Sequence, residues 1–130
     1  MTRCSKSRTW RRSSKRGAIS PLLGGIGSLD PSPLLRWSGS AIPESDQEAL
    51  RTLGAVGDVC LRFLNAAGDH VESGLDGRVV GIDPETLLAV PRRVGVAGGT
   101  RKHSAIRAAL FGGWVNVLVS DVGTASALLA

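Results

Sequence analysis

The stretch Arg92–Leu110, RRVGVAGGTRKHSAIRAAL, decides the fold class because its hydrophobic pattern changes period within a few residues. The segment from Arg92 to Val96 follows Pro91 and is an apolar, β-branched run, which predicts a strand. After two glycines, apolar residues recur at helical spacing at Ala105, Ile106, Ala109 and Leu110. A strand that runs through a glycine turn into a helix is the repeating unit of an α/β fold.

The glycine turn itself has two interpretations. Gly98 and Gly99 allow backbone angles that other residues avoid, and Thr100 is predicted to cap the helix so that the first-turn amides point outward. Such a terminus attracts anions, and Lys102 in the first turn suits an external negative partner. The alternative is a plain turn between strand and helix, with the lysine side chain in solvent. The local sequence leaves both open.

The first half of the chain predicts a strand, a helix and another strand. The apolar run in PLLGGIGSLDPSP predicts a strand that leads into a proline-rich loop through Trp37 and Pro43. Ser45 and Glu48 form a capping-box pattern for a helix over about residues 46–53, which Gly54 ends. The segment GDVCLRFLNAAGDHV alternates and predicts one strand, followed by a tight turn at residues 67–69. This alternation sets the following residues on one side of the strand: Val59, Leu61 and Phe63.

The second half continues the alternation of strands and helices. A strand is predicted over about residues 78–82, with Asp83 as the cap of a short helix that has Pro84 at its first position. Gly112 and Gly113 end the helix that follows Thr100, and VNVLV, residues 115–119, is typical of a buried strand. Asp121 is predicted to cap a last helix. Together these elements predict an α/β fold with a mostly parallel sheet flanked by helices.

Composition excludes several classes of protein. A chain of 130 residues with 42% hydrophobic residues predicts at most one ordinary domain with a packed core. No apolar run approaches the roughly 18 residues of a membrane span. Cys4 and Cys60, with His70 and His103, show neither disulfide-framework nor metal-site spacing. We therefore expect a cytoplasmic protein with reduced thiols and without a metal or cofactor.

The net charge of +5 is concentrated at one end of the chain. Residues 1–16 contain seven of the sixteen basic residues and no acid; the other nine basic residues face eleven acidic ones, a net charge of −2. This pattern separates a basic tail, residues 1–17, from a folded unit, residues 18–130. The tail is interpreted as disordered or as a non-native start, with a phosphate-binding arm, a transit peptide and a twin-arginine signal as alternatives.

Four blocks carry a resemblance to a known family: GIGSLDPSPLLRWSG, AVGDVCLRFLNAAGDHV, GRVVGIDPETLLAVPRRVGVAGGTRKHSAIRAAL and GGWVNVLVSDVGTASALLA. Over about residues 24–130 they resemble the C-terminal part of the sugar-binding effector domain of SorC-type (SorC/DeoR-like) bacterial transcriptional regulators. The resemblance implies a fold shared with ribose-phosphate isomerases, glucosamine-phosphate deaminases and CoA-transferase-like proteins. It also implies a sensor of phosphorylated sugars that controls DNA binding by a separate helix-turn-helix domain.

The resemblance also implies an effector site. Lys102 matches the lysine of a GGxxK segment that contacts the effector, and Asp58 matches an acidic residue that approaches sugar hydroxyls. Gly25 and Gly27 match a GIG strand end where the backbone approaches the ligand, and Arg36 is added for a second phosphate. The implied effector-binding residues are Lys102, Asp58, Gly25, Gly27, Gly98, Gly99, Thr100 and Arg36, with no catalytic or metal-binding residue. At Leu61 the chain departs from the family, in which glycine is usual.

Neither the helix-turn-helix domain nor the first half of the effector domain is recognisable in the sequence. One hypothesis is therefore a truncated gene or a misassigned start, whose product leaves apolar faces uncovered, tends to aggregate and has no function of its own. A second is a sugar-phosphate isomerase or deaminase that uses Asp58 or Glu72 as a base and Lys102 to hold the anion. We favour a binding module without catalysis, and leave a homo-oligomer open.

Overall fold

The computed structural model describes residues 21–30, 33–39 and 42–130, without the side chains of Leu35 and Arg36. The basic tail, residues 1–17, lies outside the described residues. Two short 3₁₀ turns, Asp76–Arg78 and Thr100–Lys102, connect longer elements. The strands and helices are β1 Leu22–Ser28, α1 Pro33–Ser38, α2 Glu44–Thr52, β2 Ala55–Val59, β3 Arg62–Asn65, α3 Pro84–Ala89, β4 Arg93–Val96, α4 His103–Phe111, β5 Val117–Val119 and α5 Val122–Leu129.

The five described strands form one sheet in the order β3-β2-β1-β4-β5. β1, β4 and β5 are parallel, while the hairpin of β2 and β3 adds two antiparallel pairs on the other side of β1. The α/β fold is confirmed, and the expectation of a mostly parallel sheet holds for the half of the sheet made by β1, β4 and β5. The carboxyl ends of β1 and β4 therefore lie side by side at one edge of the sheet, where ligands bind in open α/β sheets.

The two faces of the sheet are covered unequally. We call the face that carries Ile26, Val59 and Leu64 the inner face; these side chains are at most 3% exposed and pack with α4 and α3 in the main core. The opposite, outer face carries Asp58 and Phe63. Leu50 of α2, a fully buried side chain, packs with Phe63 in a second, smaller core over the hairpin. The outer face is thus covered at β2 and β3.

The local capping signals are confirmed at three helix ends. The carboxylate of Asp83 accepts a hydrogen bond from the Thr86 N–H at 2.8 Å, and that of Asp121 accepts one from the Thr124 N–H at 2.7 Å. Gly113 follows α4 with φ 74°, a left-handed conformation that glycine adopts without a steric cost. These signals act within four residues, so they can be recognised without knowledge of the tertiary structure.

The prediction of one strand over GDVCLRFLNAAGDHV is wrong, because the segment forms a hairpin. β2 and β3 are joined by Cys60 and Leu61, which have φ 51° and 62°. Two successive left-handed residues make a tight turn that normally selects glycine or asparagine, so Cys60 and Leu61 carry no turn signal. Reversal of the chain also places Val59 on the inner face and Phe63 on the outer face, not on one side.

The predicted strand over residues 78–82 is also wrong. The Asp76 carboxylate accepts hydrogen bonds from the Ser73 N–H at 3.0 Å and from Arg62 at 3.1 Å, and the chain turns there. The Arg78 N–H closes a 3₁₀ turn onto the Leu75 carbonyl, and no described strand pairs with the segment that follows. An apolar run alone cannot distinguish a strand from an extended connection.

Two helix starts differ from the prediction. α2 begins at Glu44, and the Pro43 carbonyl accepts the N–H groups of Asp46 and Gln47, so Ser45 lies inside the first turn and is not the cap. The proline-rich segment is not entirely loop, because α1 forms within it. A proline before the helix supplies a fixed backbone angle and a free carbonyl in place of a capping side chain.

Candidate functional site

The candidate site lies at the carboxyl end of β1, where Gly27 faces Asp58 of β2 across an antiparallel pair. A Cβ atom on Gly27 would overlap the Oδ1 atom of Asp58 and lie 3.1 Å from its Cγ atom. Glycine is therefore required at this position for the carboxylate to lie over β1. The result is an acidic group held against the β1 backbone at the edge formed by the carboxyl ends of β1 and β4, where ligands bind in open α/β sheets.

Burial, a hydrogen bond and a nearby positive charge act on the pKa of Asp58 in opposite directions. Its Oδ2 atom accepts a hydrogen bond from the Leu61 N–H at 3.1 Å, which ties the carboxylate to the hairpin turn. Burial raises the pKa of Asp58, and the Leu61 hydrogen bond and the charge of Lys102 oppose that rise without cancelling it. The two charges therefore interact, although Lys102 and Asp58 do not form one of the direct ion pairs of the described residues.

The glycine turn after β4 is fixed by hydrogen bonds to the start of α5. The Gly99 N–H donates to the Asp121 Oδ2 atom at 2.9 Å and to the Thr124 Oγ1 atom at 3.2 Å. A Cβ atom on Gly98 would overlap the same Asp121 oxygen, so this residue must be glycine for the contact to form. Gly99 has φ 94°. The Gly99 amide is therefore already satisfied within the protein.

Thr100 does not cap the helix, which corrects the prediction. Thr100 is the first residue of the 3₁₀ turn Thr100–Lys102. The cap position of this turn is Gly99 and that of α4 is Lys102, and neither position has a side-chain capping bond. The Lys102 N–H instead donates to the Gly99 carbonyl at 3.1 Å. A tight 3₁₀ turn therefore precedes α4, and the Lys102 side chain at its end is half-buried.

The structure brings together part of the predicted site. Gly27 and Asp58 face each other across β1 and β2, and Lys102, which follows the glycine turn, lies near enough for its charge to act on the Asp58 carboxylate. Gly25 pairs with Val96 in the sheet and is exposed; a Cβ atom there would lie 3.8 Å from the nearest atom, the Val96 carbonyl oxygen. Gly25 is therefore not sterically required. Arg36 lies on α1, and its side chain is outside the described part of the chain.

Sequence reasoning did not identify Asp121 as a residue that shapes this site. One carboxylate caps α5 and also fixes the Gly99 amide, and these hydrogen bonds, first that from the Thr124 N–H, lower the pKa of Asp121. His103 adds a contact between its Nε2 atom and the Thr124 hydroxyl at 3.1 Å. The DVGT pattern predicted the cap alone, because the contact with Gly99 joins residues 22 positions apart in the chain.

A second polar cluster lies away from the site. The guanidinium of Arg62, buried on the inner side of β3, contacts the Asp76 carboxylate and the Ile82 carbonyl, each at 3.1 Å, and the His70 Nε2 atom reaches the same carboxylate at 3.1 Å. Glu72 is exposed and lies near this cluster. The N–H of the adjacent Val71 donates to the Phe63 carbonyl, on the side of β3 that faces away from β2. Glu72 is therefore separated from Asp58 by a strand.

The described residues contain neither a group arranged for a metal ion nor a helix suited to cross a membrane. No group of three or more histidine, cysteine, aspartate or glutamate side chains there is arranged to hold a metal ion. Within the same residues, no helix is long and apolar enough to cross a membrane.

Comparison with known proteins identifies the family. The model of a family described as "Putative sugar-binding domain" matches residues 15–130. The transcriptional regulator YjhU of Escherichia coli K12 is 39% identical over 103 residues, which are 79% of this chain and 31% of that protein. The chain spans about a third of the length of this relative.

Solved structures show the same likeness. The full-length sorbitol operon regulator SorC from Klebsiella pneumoniae matches 95% of this chain and 40% of its own, with a TM-score of 0.80 and 27% identity. The "Putative Sugar-Binding Domain of Transcriptional Repressor from Vibrio fischeri" matches 95% of this chain and 50% of its own, with a TM-score of 0.80 and 30% identity. The chain therefore belongs to the family of sugar-binding domains found in bacterial transcriptional regulators.

Proposed function

We propose that this chain binds a phosphorylated sugar between Lys102 and Asp58, as the effector-sensing part of a transcriptional regulator. The observation that carries the proposal is the Asp58 carboxylate, which lies over Gly27 at the carboxyl end of β1 within the influence of the Lys102 charge. The Asp58 carboxylate and the Lys102 ammonium interact without a direct ion pair. They therefore present opposite charges to a ligand that has hydroxyl groups at one end and a phosphate at the other.

Each group has a chemical role in this proposal. The Lys102 ammonium provides a positive charge and three donors for a phosphate. The Asp58 carboxylate accepts hydrogen bonds from sugar hydroxyls, and Gly27 leaves the space that this carboxylate occupies over β1. Asp121 is a positioning residue, because it fixes the loop from which Lys102 projects through the Gly99 amide.

The family relationship supports the wider part of the proposal. YjhU and SorC are transcriptional regulators by name, and this chain matches about a third to two fifths of their length. We infer that DNA is contacted by a separate helix-turn-helix domain and that the sugar shifts the population of conformations of the regulator. Such a regulator acts in the bacterial cytoplasm, where both its sugar effector and its DNA are found. A homo-oligomer is compatible with this role.

The raised pKa of Asp58 favours a second candidate, an isomerase or deaminase of the same fold with Asp58 as the base. The relationship to regulators supports binding without turnover, and the separation of Glu72 from the site leaves Asp58 as the nearer base. Incubation of the chain with sugar phosphates, followed by chromatography of the sugars, distinguishes the two. Isomerised or deaminated product in proportion to protein concentration would establish the enzyme.

Thermal unfolding with a panel of phosphorylated and unphosphorylated sugars tests the binding proposal. A ligand that binds the folded state at 100 times its Kd stabilises it by about 2.7 kcal/mol. We expect at least one phosphorylated sugar to raise the Tm, and Lys102→Ala to abolish the shift. Arg92→Ala, which removes an exposed cation just before β4 at the opposite edge of the sheet, is the matched control and should keep the shift. Equal shifts in both variants would refute the assignment of Lys102.

A further inference from the structure

One half of the outer face of the sheet is apolar and open to solvent. The side chains of β1, β4 and β5 that point away from α4 include Leu23, Val96 and Val119, which are 69%, 48% and 53% exposed. Val96 and Val119 are direct neighbours in the parallel pair of β4 and β5. Leu23 of β1 pairs with Val94 of β4, two residues before Val96 and on the same face. We call this surface, Leu23, Val94, Val96, Val117 and Val119, the open strip.

The sequences of these strands are typical of strands with protein on both sides. β4 and β5 read RVGV and VLV, and β1 begins LLGGIG, so apolar residues or glycines occupy nearly every position and do not alternate with polar ones. Parallel strands of this kind occur almost always in sheets that are covered on both faces. Among the described residues, α4 covers the inner face of this half, whereas the layer on the outer face is at the hairpin, where α2 packs. Within that part of the chain, no helix packs on the open strip, although its sequence is suited to a covered face.

We propose that the open strip is the docking surface for the complementary half of a sugar-binding domain of this family, the half with which this chain does not align. The Vibrio fischeri domain superposes on 95% of this chain with a TM-score of 0.80, yet this chain accounts for only 50% of it. As much polypeptide again belongs to that one domain, and a domain buries its apolar sheet faces against its own layers. The five residues of the open strip are all aliphatic and three of them are exposed, so an added layer gains free energy from their burial.

The alternative occupant is a second copy of this chain, which would place two such strips against each other. The comparison favours the complementary half, because the additional polypeptide is present in the solved relative as part of the same domain. The two occupants give different results in one experiment. Lys102 is not one of the residues of the open strip, so loss of sugar binding in Lys102→Ala has no bearing on the docking surface.

The test is to co-express the 130-residue chain with the affinity-tagged half of the Vibrio fischeri domain that it does not match. We expect the chain to co-purify at a 1:1 ratio. Val96→Asp and Leu23→Asp should raise the Kd of the complex about tenfold or more, because each puts an unpaired charge into an apolar contact. Val122→Asp, which changes a valine on α5 that is 83% exposed, is the matched control and should keep wild-type affinity.

The proposal is overturned if no complex forms, or if Val96→Asp and Val122→Asp bind the half-domain equally well. It is also overturned if light scattering shows that the chain alone is a dimer that Val96→Asp dissociates, since the second copy would then be the occupant. Unchanged urea midpoints for the isolated variants are expected, because these side chains are exposed, and they exclude unfolding as the cause of lost binding.

Discussion

Replacing Gly27 with alanine tests whether Asp58 lies over bare backbone at the end of β1. The added methyl group would overlap the Asp58 Oδ1 atom and lie 3.1 Å from Cγ, so the carboxylate must rotate away. That movement breaks the hydrogen bond at 3.1 Å between the Asp58 Oδ2 atom and the Leu61 N–H. The perturbation therefore acts through a single side chain and not through a left-handed backbone angle, since Gly27 is not one of the positive-φ glycines among the described residues.

The expected magnitude follows from two opposing effects. Loss of a hydrogen bond to a charged group costs about 1.5–3 kcal/mol. Removing a glycine from a strand returns about 0.5–1 kcal/mol, because alanine loses less backbone entropy on folding. We therefore expect Gly27→Ala to lower the free energy of unfolding by about 1–2 kcal/mol, equivalent to about 5–10 °C in Tm for a domain of this size.

A double-mutant cycle measures this coupling by urea unfolding of the wild type, Gly27→Ala, Asp58→Ala and the double variant. In the Asp58→Ala background there is no carboxylate to displace, so Gly27→Ala should be neutral or slightly stabilising. Gly74→Ala, at a glycine with open space around its Cα, is the control and should change stability by less than about 0.5 kcal/mol. An equal loss from Gly27→Ala in both backgrounds would refute the predicted contact.

Three further predictions concern the turn, the second polar cluster and the site carboxylate. Leu61 has φ 62°, so Leu61→Gly should be more stable than Leu61→Ala by about 1 kcal/mol in urea unfolding; equal midpoints would contradict the left-handed conformation. At Asp76, burial acts to raise the pKa, but the hydrogen bonds from Ser73 and Arg62 and the charge of His70 outweigh it and lower the pKa. Its stabilising contribution is therefore present above the unfolded pKa of about 3.9 and is lost as the pH falls through the lower folded pKa. Asp76→Asn should cost about 3 kcal/mol at pH 7 and flatten the acid limb of the stability profile, whereas an unchanged acid limb would contradict this account. Asp58→Asn should keep or raise the Tm at pH 7, since burial raises the pKa of Asp58, while it weakens sugar binding; a large loss of stability would argue for a purely structural role.

The sequence predicted the features that depend on neighbours along the chain. Asp83 and Asp121 could be recognised as caps because each carboxylate meets an amide three residues later. The hairpin turn at Cys60 and Leu61 could not, since neither residue type favours the left-handed region. The extended run after Arg78 satisfied the pattern of a strand, but a strand requires a partner in the sheet, and the sequence pattern contains no information about the partner.

The candidate site depends on contacts that are distant in the sequence. Gly27 and Asp58 meet only because β1 and β2 pair in one register, and a shift by one residue would turn the carboxylate to the inner face. The resemblance implied roles for Asp58 and Lys102, and it explained Gly27 by the approach of the ligand to the backbone. The structure gives a different reason for this glycine, the overlap of a Cβ atom with Asp58. It also assigns the Gly99 amide to Asp121, a contact that local capping rules cannot predict.

The most direct test of the central claim is titration calorimetry of the purified chain with a phosphorylated sugar selected from the thermal panel. We predict saturable binding with one site per chain, a Kd raised at least tenfold by Lys102→Ala and an unchanged Kd for Arg92→Ala. No binding by the cooperatively folded wild-type chain, or equal affinity in Lys102→Ala, would contradict the account that Lys102 and Asp58 form a phosphosugar site.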